Sequence, residues 1–397
     1  MTQPQASTPA NDNDRPVRFQ RLVAVFLLTA TIVLSACAAR DDKKEAESQR
    51  GTLRGAADVA VLTAASIDAD QIIPGELALS GAAVCDVSVK SMTHATTSPN
   101  GTAALISGAV LVPTGAACRG PFTVIAYAHA TSRDRTRTMA NPSDKETRLL
   151  INMYAAKGFV VVATDYLGFG QSDFSYHPYL HADSEATSVI DSVRAARTLL
   201  AQSGVPLNGK VLLAGYSQGG HAALAAQRAI ERGEAADVAV VATGAMSGPY
   251  DLALTFQEGA RVLPGIDTSG TATTSGDWSL SLGNALPNTA ADFATRGAIG
   301  SVLRAQSVTG WASTSPMLLC GGQRDQTVTF TNAAVAAADL RAKGASIVIL
   351  DVDADASYAA LVPAAQSTSE QLSGYHNQIV PPLCFQAVRD RLFIRYR

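Results

Sequence analysis

Ser217 stands between two glycines in Gly215-Tyr216-Ser217-Gln218-Gly219, after the apolar run Lys210–Ala214 and before an alanine-rich stretch that ends at Gly233. A serine hydroxyl is a weak nucleophile until a turn exposes it and a base takes its proton. The pattern strand, Gly-x-Ser-x-Gly, helix meets the first need. The glycines remove side chains that would clash in a strained turn, and the helix N-terminus offers backbone N–H groups to a developing anion. A passive turn serine is the alternative, so the remaining members of a catalytic set must be found elsewhere in the chain.

Six histidines are present, and only His221 and His376 follow Ser217. His221 falls inside the helix leaving the turn, where packing is its expected role. His376, in the segment Leu372–Val380, lies after the last apolar strand pattern and before the last helix, on a loop able to carry an imidazole over Ser217. The orienting acid should come between them in chain order. Asp325 follows the strand pattern ending near Gly321 and is preferred. Asp351, Asp353 and Asp355 compete, and read as a solvated strand end. Their alternation hints at calcium, but the glycine and distal glutamate of an EF-hand loop are missing, so no metal is assigned.

An oxyanion needs two donors. One is the backbone N–H of Gln218. The other is expected from the loop after Phe122–Ala130, with Thr131 first and Ala130 next, while His129 braces that loop. Tyr166, Phe169 and Tyr250 are placed at the mouth of the site as substrate-binding residues, with the core as their alternative.

The elements that must hold these residues follow from periodicity. Two strand patterns, Val84–Thr93 and Ala103–Pro113, form a hairpin. From Phe122 onward, continuous apolar strand runs alternate with amphipathic helices, which implies right-handed crossovers and a mostly parallel, doubly wound α/β sheet. The hairpin would be its antiparallel edge. Residues 252–315 break the rhythm with Gly, Thr, Ser and both tryptophans, Trp278 and Trp311, and read as an inserted cap over the C-terminal ends of the strands.

Arg15, Arg18 and Arg21 precede the apolar run Leu22–Leu34, which is too short to span a bilayer comfortably. Leu34-Ser35-Ala36-Cys37 looks like a bacterial lipobox, whose cysteine is lipidated and starts the mature chain. An ordinary cleaved signal peptide is the other reading; both take the chain out of the cytoplasm, the first as an outer-membrane lipoprotein. Residues 1–36 are thus a signal peptide, 37–80 a polar tether and 81–397 the folded domain. Cys85, Cys118, Cys320 and Cys384 remain, an even number suited to an oxidising compartment. Three pairings are possible; Cys85–Cys118 around the hairpin with Cys320–Cys384 at the last helix is favoured. A net charge of −3 without a basic tract argues against nucleic acid as a partner.

Several segments in order carry a resemblance: Gly215–Ala222, Thr164–Gly170, Ser188–Arg197, Gly248–Leu252, Gly321–Val328 and Gly374–Gln378. From about Val84 to Arg397 the chain resembles the α/β-hydrolases, and is most similar to secreted lipases of the yeast lipase A type and their bacterial esterase relatives. The resemblance implies carboxylic-ester hydrolysis through an acyl-enzyme, no cofactor, an ester or lipid substrate and a cap before the Asp325 strand. Two departures stand out. His129-Ala130-Thr131 replaces the usual His-Gly start of the oxyanion loop, and the short Gly/Thr-rich insertion favours shorter or more soluble esters over long triglycerides. A serine peptidase, an acyltransferase and a non-catalytic envelope binding protein on the same fold are the alternatives.

Overall fold

The computed structural model describes residues 40–70, 76–256, 303–358 and 374–397. The proposed signal peptide, Cys37, Trp278 and most of the expected cap lie outside the described residues. Strands β1 Leu53–Leu62, β2 Asp86–Thr97, β3 Ala103–Thr114, β4 Phe122–Ala128, β5 Val160–Thr164, β6 Leu207–Tyr216, β7 Ala239–Met246, β8 Met317–Gly321 and β9 Ile347–Asp351 form a single nine-stranded sheet. Its order is β1-β2-β3-β5-β4-β6-β7-β8-β9. β4 to β9 run parallel, whereas β1, β2 and β3 add antiparallel ladders at one side.

Helices α1 Lys145–Met153, α2 Ala182–Gln202, α3 Gln218–Glu231, α4 Phe330–Ala342 and α5 Val380–Arg391 cover the two faces. β4 shows why its sequence is apolar throughout. All seven of its residues are buried. Val124, Ala126 and Ala128 pack toward α2 and α3, and Ile125 and Tyr127 toward α1 and α5. Two-sided burial replaces the alternation of a half-wet strand, at about 2 kcal/mol for each large apolar side chain.

The order 5-4-6 creates the site. The chain leaves β4 toward one side of the sheet and leaves β6 toward the other, so a crevice opens at the C-terminal ends of these adjacent strands. Ser217 follows β6, and the loop from His129 follows β4.

One boundary differs from expectation. Within the expected tether 37–80, residues 40–49 are helical and β1 is the true edge of the sheet, outside the hairpin. Arg50 donates from Nε to the buried Asp191 carboxylate (3.0 Å), and Gly51 N–H donates to Ala95 O (2.8 Å). Most β1 side chains are exposed, so its strand character comes from the β2 ladder and leaves little apolar pattern. Both disulfides form as favoured: Cys85–Cys118 closes the hairpin, and Cys320–Cys384 joins the end of β8 to α5.

Candidate active site

Ser217 has φ 55° and ψ −120°, the left-handed region that a serine adopts only under constraint. The constraint is close packing of backbone. A Cβ on Gly215 would fall 2.0 Å from Gly219 O, and one on Gly219 would fall 1.8 Å from Ala128 O. Neither position can carry a side chain without moving the turn. The second contact also brings the start of α3 directly against the end of β4.

His376 arrives on the one-turn π-helix Tyr375–Ile379 that runs into α5. Its Nε2 lies 3.0 Å from Ser217 Oγ, and its Nδ1 lies 2.6 Å from Asp325 Oδ2. Asp325 sits in the turn after β8, where its other oxygen accepts from Thr327 N–H (2.9 Å) and Val328 N–H (3.0 Å). All three side chains are buried. The Nδ1–H donates to the carboxylate, which leaves the Nε2 lone pair facing the serine hydroxyl. Tyr216 O–H holds the His376 carbonyl, and burial drives that phenol far above its ordinary pKa, so it remains a donor. Sequence reasoning thus nominated Ser217, Asp325 and His376, and the fold brings them together in hydrogen-bond order.

The loop after β4 is held from two sides. Glu146, in the first turn of α1, accepts from Ala130 N–H (2.9 Å), from Tyr127 O–H and from Arg137 (2.8 Å). The Ala130 amide is therefore committed to Glu146, which leaves Thr131 N–H as the donor of the two that were expected. His129 braces the loop through Nδ1 toward Ala130 O (2.6 Å) and Nε2 toward Asp165 O (3.3 Å). Gln218 opens α3, so its own N–H has no acceptor within the helix.

Other expectations change. Tyr166, Phe169 and Tyr250 are buried core residues rather than an exposed mouth. Tyr166 packs tilted and Phe169 edge-on against His129, with ring centroids 4.5 and 5.4 Å from its imidazole, and Tyr166 O–H donates to His129 O (3.1 Å). Tyr250 joins the two stems of the insertion: Val308 N–H donates to its carbonyl (2.9 Å), beside the Leu252 N–H to Ser307 Oγ bond (3.0 Å). Of the acidic trio, Asp353 is more than a solvated strand end. Asp353 accepts from Arg324 N–H (2.9 Å) and Tyr375 O–H (2.8 Å), bridging the turn that carries Asp325 to the one that carries His376.

Sequence reasoning missed a buried cluster beneath the turn. Glu185, in the first turn of α2, meets His221 Nδ1 at 2.6 Å and Gln218 Nε2 at 2.8 Å. His221 is therefore hydrogen-bonded to a buried carboxyl group as well as packed. The available signal was a carboxylate on the apolar stripe of α2, four residues before Val189 and eight before Val193.

A family model described as secretory lipase matches residues 138–271. The esterase LipA from Xanthomonas oryzae, described as rice cell wall degrading, is 30% identical with a TM-score of 0.73; the match covers 88% of this chain and all of LipA. Candida antarctica lipase A, 18% identical with a TM-score of 0.52 over 76% of each chain, shares the fold. No curated protein sequence matches the chain. With this fold, a full-length relative at that identity and the matching family model, the chain belongs to the secretory lipase family of α/β-hydrolases and is a carboxylic-ester hydrolase.

Proposed function

We propose that the enzyme cleaves esters through an acyl-enzyme on Ser217. The observation that carries this reading is the continuous relay Asp325 Oδ2–His376 Nδ1 (2.6 Å) and His376 Nε2–Ser217 Oγ (3.0 Å), ending on a strained serine at the crevice between β4 and β6. His376 takes the Ser217 proton as Oγ attacks the acyl carbonyl, and Asp325 stabilises the imidazolium. The N–H groups of Gln218 and Thr131 receive the oxyanion. Collapse returns the proton to the leaving alcohol, and water repeats the sequence to release the acid. Shorter, soluble esters are the proposed substrates.

The Ser217→Ala variant should release nitrophenol from p-nitrophenyl esters at least about 10⁴-fold more slowly than wild type. Equal rates across short and long acyl chains would refute the nucleophile. The disulfides and the family fit an extracytoplasmic enzyme. We further propose that a lipid on Cys37 holds it to the outer membrane. Mass spectrometry should find a diacylated N-terminal Cys37, and an unmodified start at another residue would exclude the anchor.

A further inference from the structure

We propose that Glu185 is a positioning residue for the oxyanion site, fixing Gln218 from beneath and tying it to the returning stem of the insertion. The proposal rests on the reading of Ser217 as nucleophile and Gln218 N–H as donor. The N-terminus of α3 needs such support. Its N-cap residue is Ser217, whose side chain makes no capping bond because its hydroxyl faces His376. A capping hydroxyl ordinarily steadies the first turn. Here the first turn carries the oxyanion donor and must be steadied otherwise.

The Gln218 side chain supplies the substitute. It is fully buried, and Nε2 donates to Glu185 Oε1 (2.8 Å) and to His177 Nε2 (2.7 Å). His177 can accept because its Nδ1–H donates to Leu167 O (2.9 Å), and burial lowers its pKa, keeping the ring neutral. Both Gln218 amide hydrogens are thereby held.

Glu185 is 1% exposed, an environment that is costly for a carboxylate unless its oxygens are matched. Oε1 accepts from Leu180 N–H (3.2 Å) as well as from Gln218, and Oε2 meets His221 Nδ1 (2.6 Å). His221 Nε2 then donates to Gln306 O (2.8 Å), and Ala182 N–H donates to Gln306 Oε1 (2.8 Å). One carboxylate therefore links the first turn of α2, the first turn of α3 and the stem of the insertion. An apolar side chain would fill this space without the desolvation cost, but could not hold an amide in one orientation.

Glu185→Gln keeps the shape and points an amide N–H₂ at donors. Activity on p-nitrophenyl butyrate is measured per active site, with sites counted by a fluorophosphonate label. The expected kcat falls about 10- to 100-fold, the range for a displaced rather than deleted oxyanion donor, with KM near wild type. Affinity for a trifluoromethyl ketone, which binds as a tetrahedral oxyanion, should fall by the same factor. Unchanged kcat per site with unchanged ketone affinity, even with a lower Tm, overturns the proposal. If this variant does not fold, His177→Gln removes the other anchor; the same split is expected, and its absence overturns the proposal equally. Ser217→Ala separates the two levels. A variant that still turns over refutes the nucleophile reading, whereas an inert one beside an unimpaired Glu185→Gln refutes only the role of Glu185.

Discussion

Two buried carboxylate–imidazole pairs serve the Ser217 turn, and at their near nitrogens they are alike: Asp325–His376 and Glu185–His221 both place Nδ1 2.6 Å from a carboxylate oxygen. They differ at the far nitrogen. His376 Nε2 faces the Ser217 hydroxyl at 3.0 Å, whereas His221 Nε2 faces the Gln306 carbonyl at 2.8 Å. A hydroxyl can donate, so His376 keeps an open lone pair and can act as a base. A carbonyl only accepts, so His221 Nε2 spends its hydrogen on Gln306 O and offers no lone pair to a substrate. The same two groups at the same distance make a base in one place and a strut in the other. The partner of the second nitrogen decides which.

The largest test separates these roles by substitution. Asp325→Asn should lower kcat about 10⁴-fold, because an amide no longer fixes the productive tautomer of His376, while its thermal midpoint stays near that of wild type. His221→Leu should do the reverse. It leaves the buried Glu185 carboxyl without its His221 hydrogen bond, for a loss of about 1–3 kcal/mol in stability. Its kcat per labelled site should drop no more than about tenfold, the lower end for a shifted oxyanion donor. Denaturant titration and steady-state kinetics on both variants check this. A kcat loss in His221→Leu as deep as that of Asp325→Asn would erase the distinction between strut and base.

The two pairs also differ in how far they could be read in the sequence. Ser217, Asp325 and His376 were legible because the first two sit just past strands and the third just before the last helix, and the order serine, acid, histidine is a rule of the fold. The alternation that gave the parallel sheet was legible because β4, β5 and β8 are buried throughout and read as continuous apolar runs. Glu185 and His221 lie inside helices, where one polar residue on an apolar stripe looks like a lapse in the pattern. Their pairing depends on α2 and α3 crossing, which no local window contains. β1 falls within the expected tether for a third reason. Its stability comes from a backbone ladder, and its exposed side chains carry almost no pattern.

A smaller test concerns the buried histidines that lack a carboxylate. Burial lowers His94 to a pKa of about 3, and burial with the nearby Arg137 charge lowers His129 to about 3. His94 donates from Nε2 to Ser192 Oγ (3.2 Å), and its Nδ1 has no partner among the described residues. For both rings the folded value lies below the unfolded one, so the unfolded chain binds a proton that the folded chain excludes. Their contribution to stability is complete above about pH 6.5 and is lost as the pH falls toward 3. At pH 5 each should cost about 2 kcal/mol relative to pH 7.5. Replacing His94 by Phe should remove one such increment and flatten the dependence of unfolding free energy on pH between 7.5 and 5. An unchanged slope would mean that the acid sensitivity arises elsewhere and not at His94.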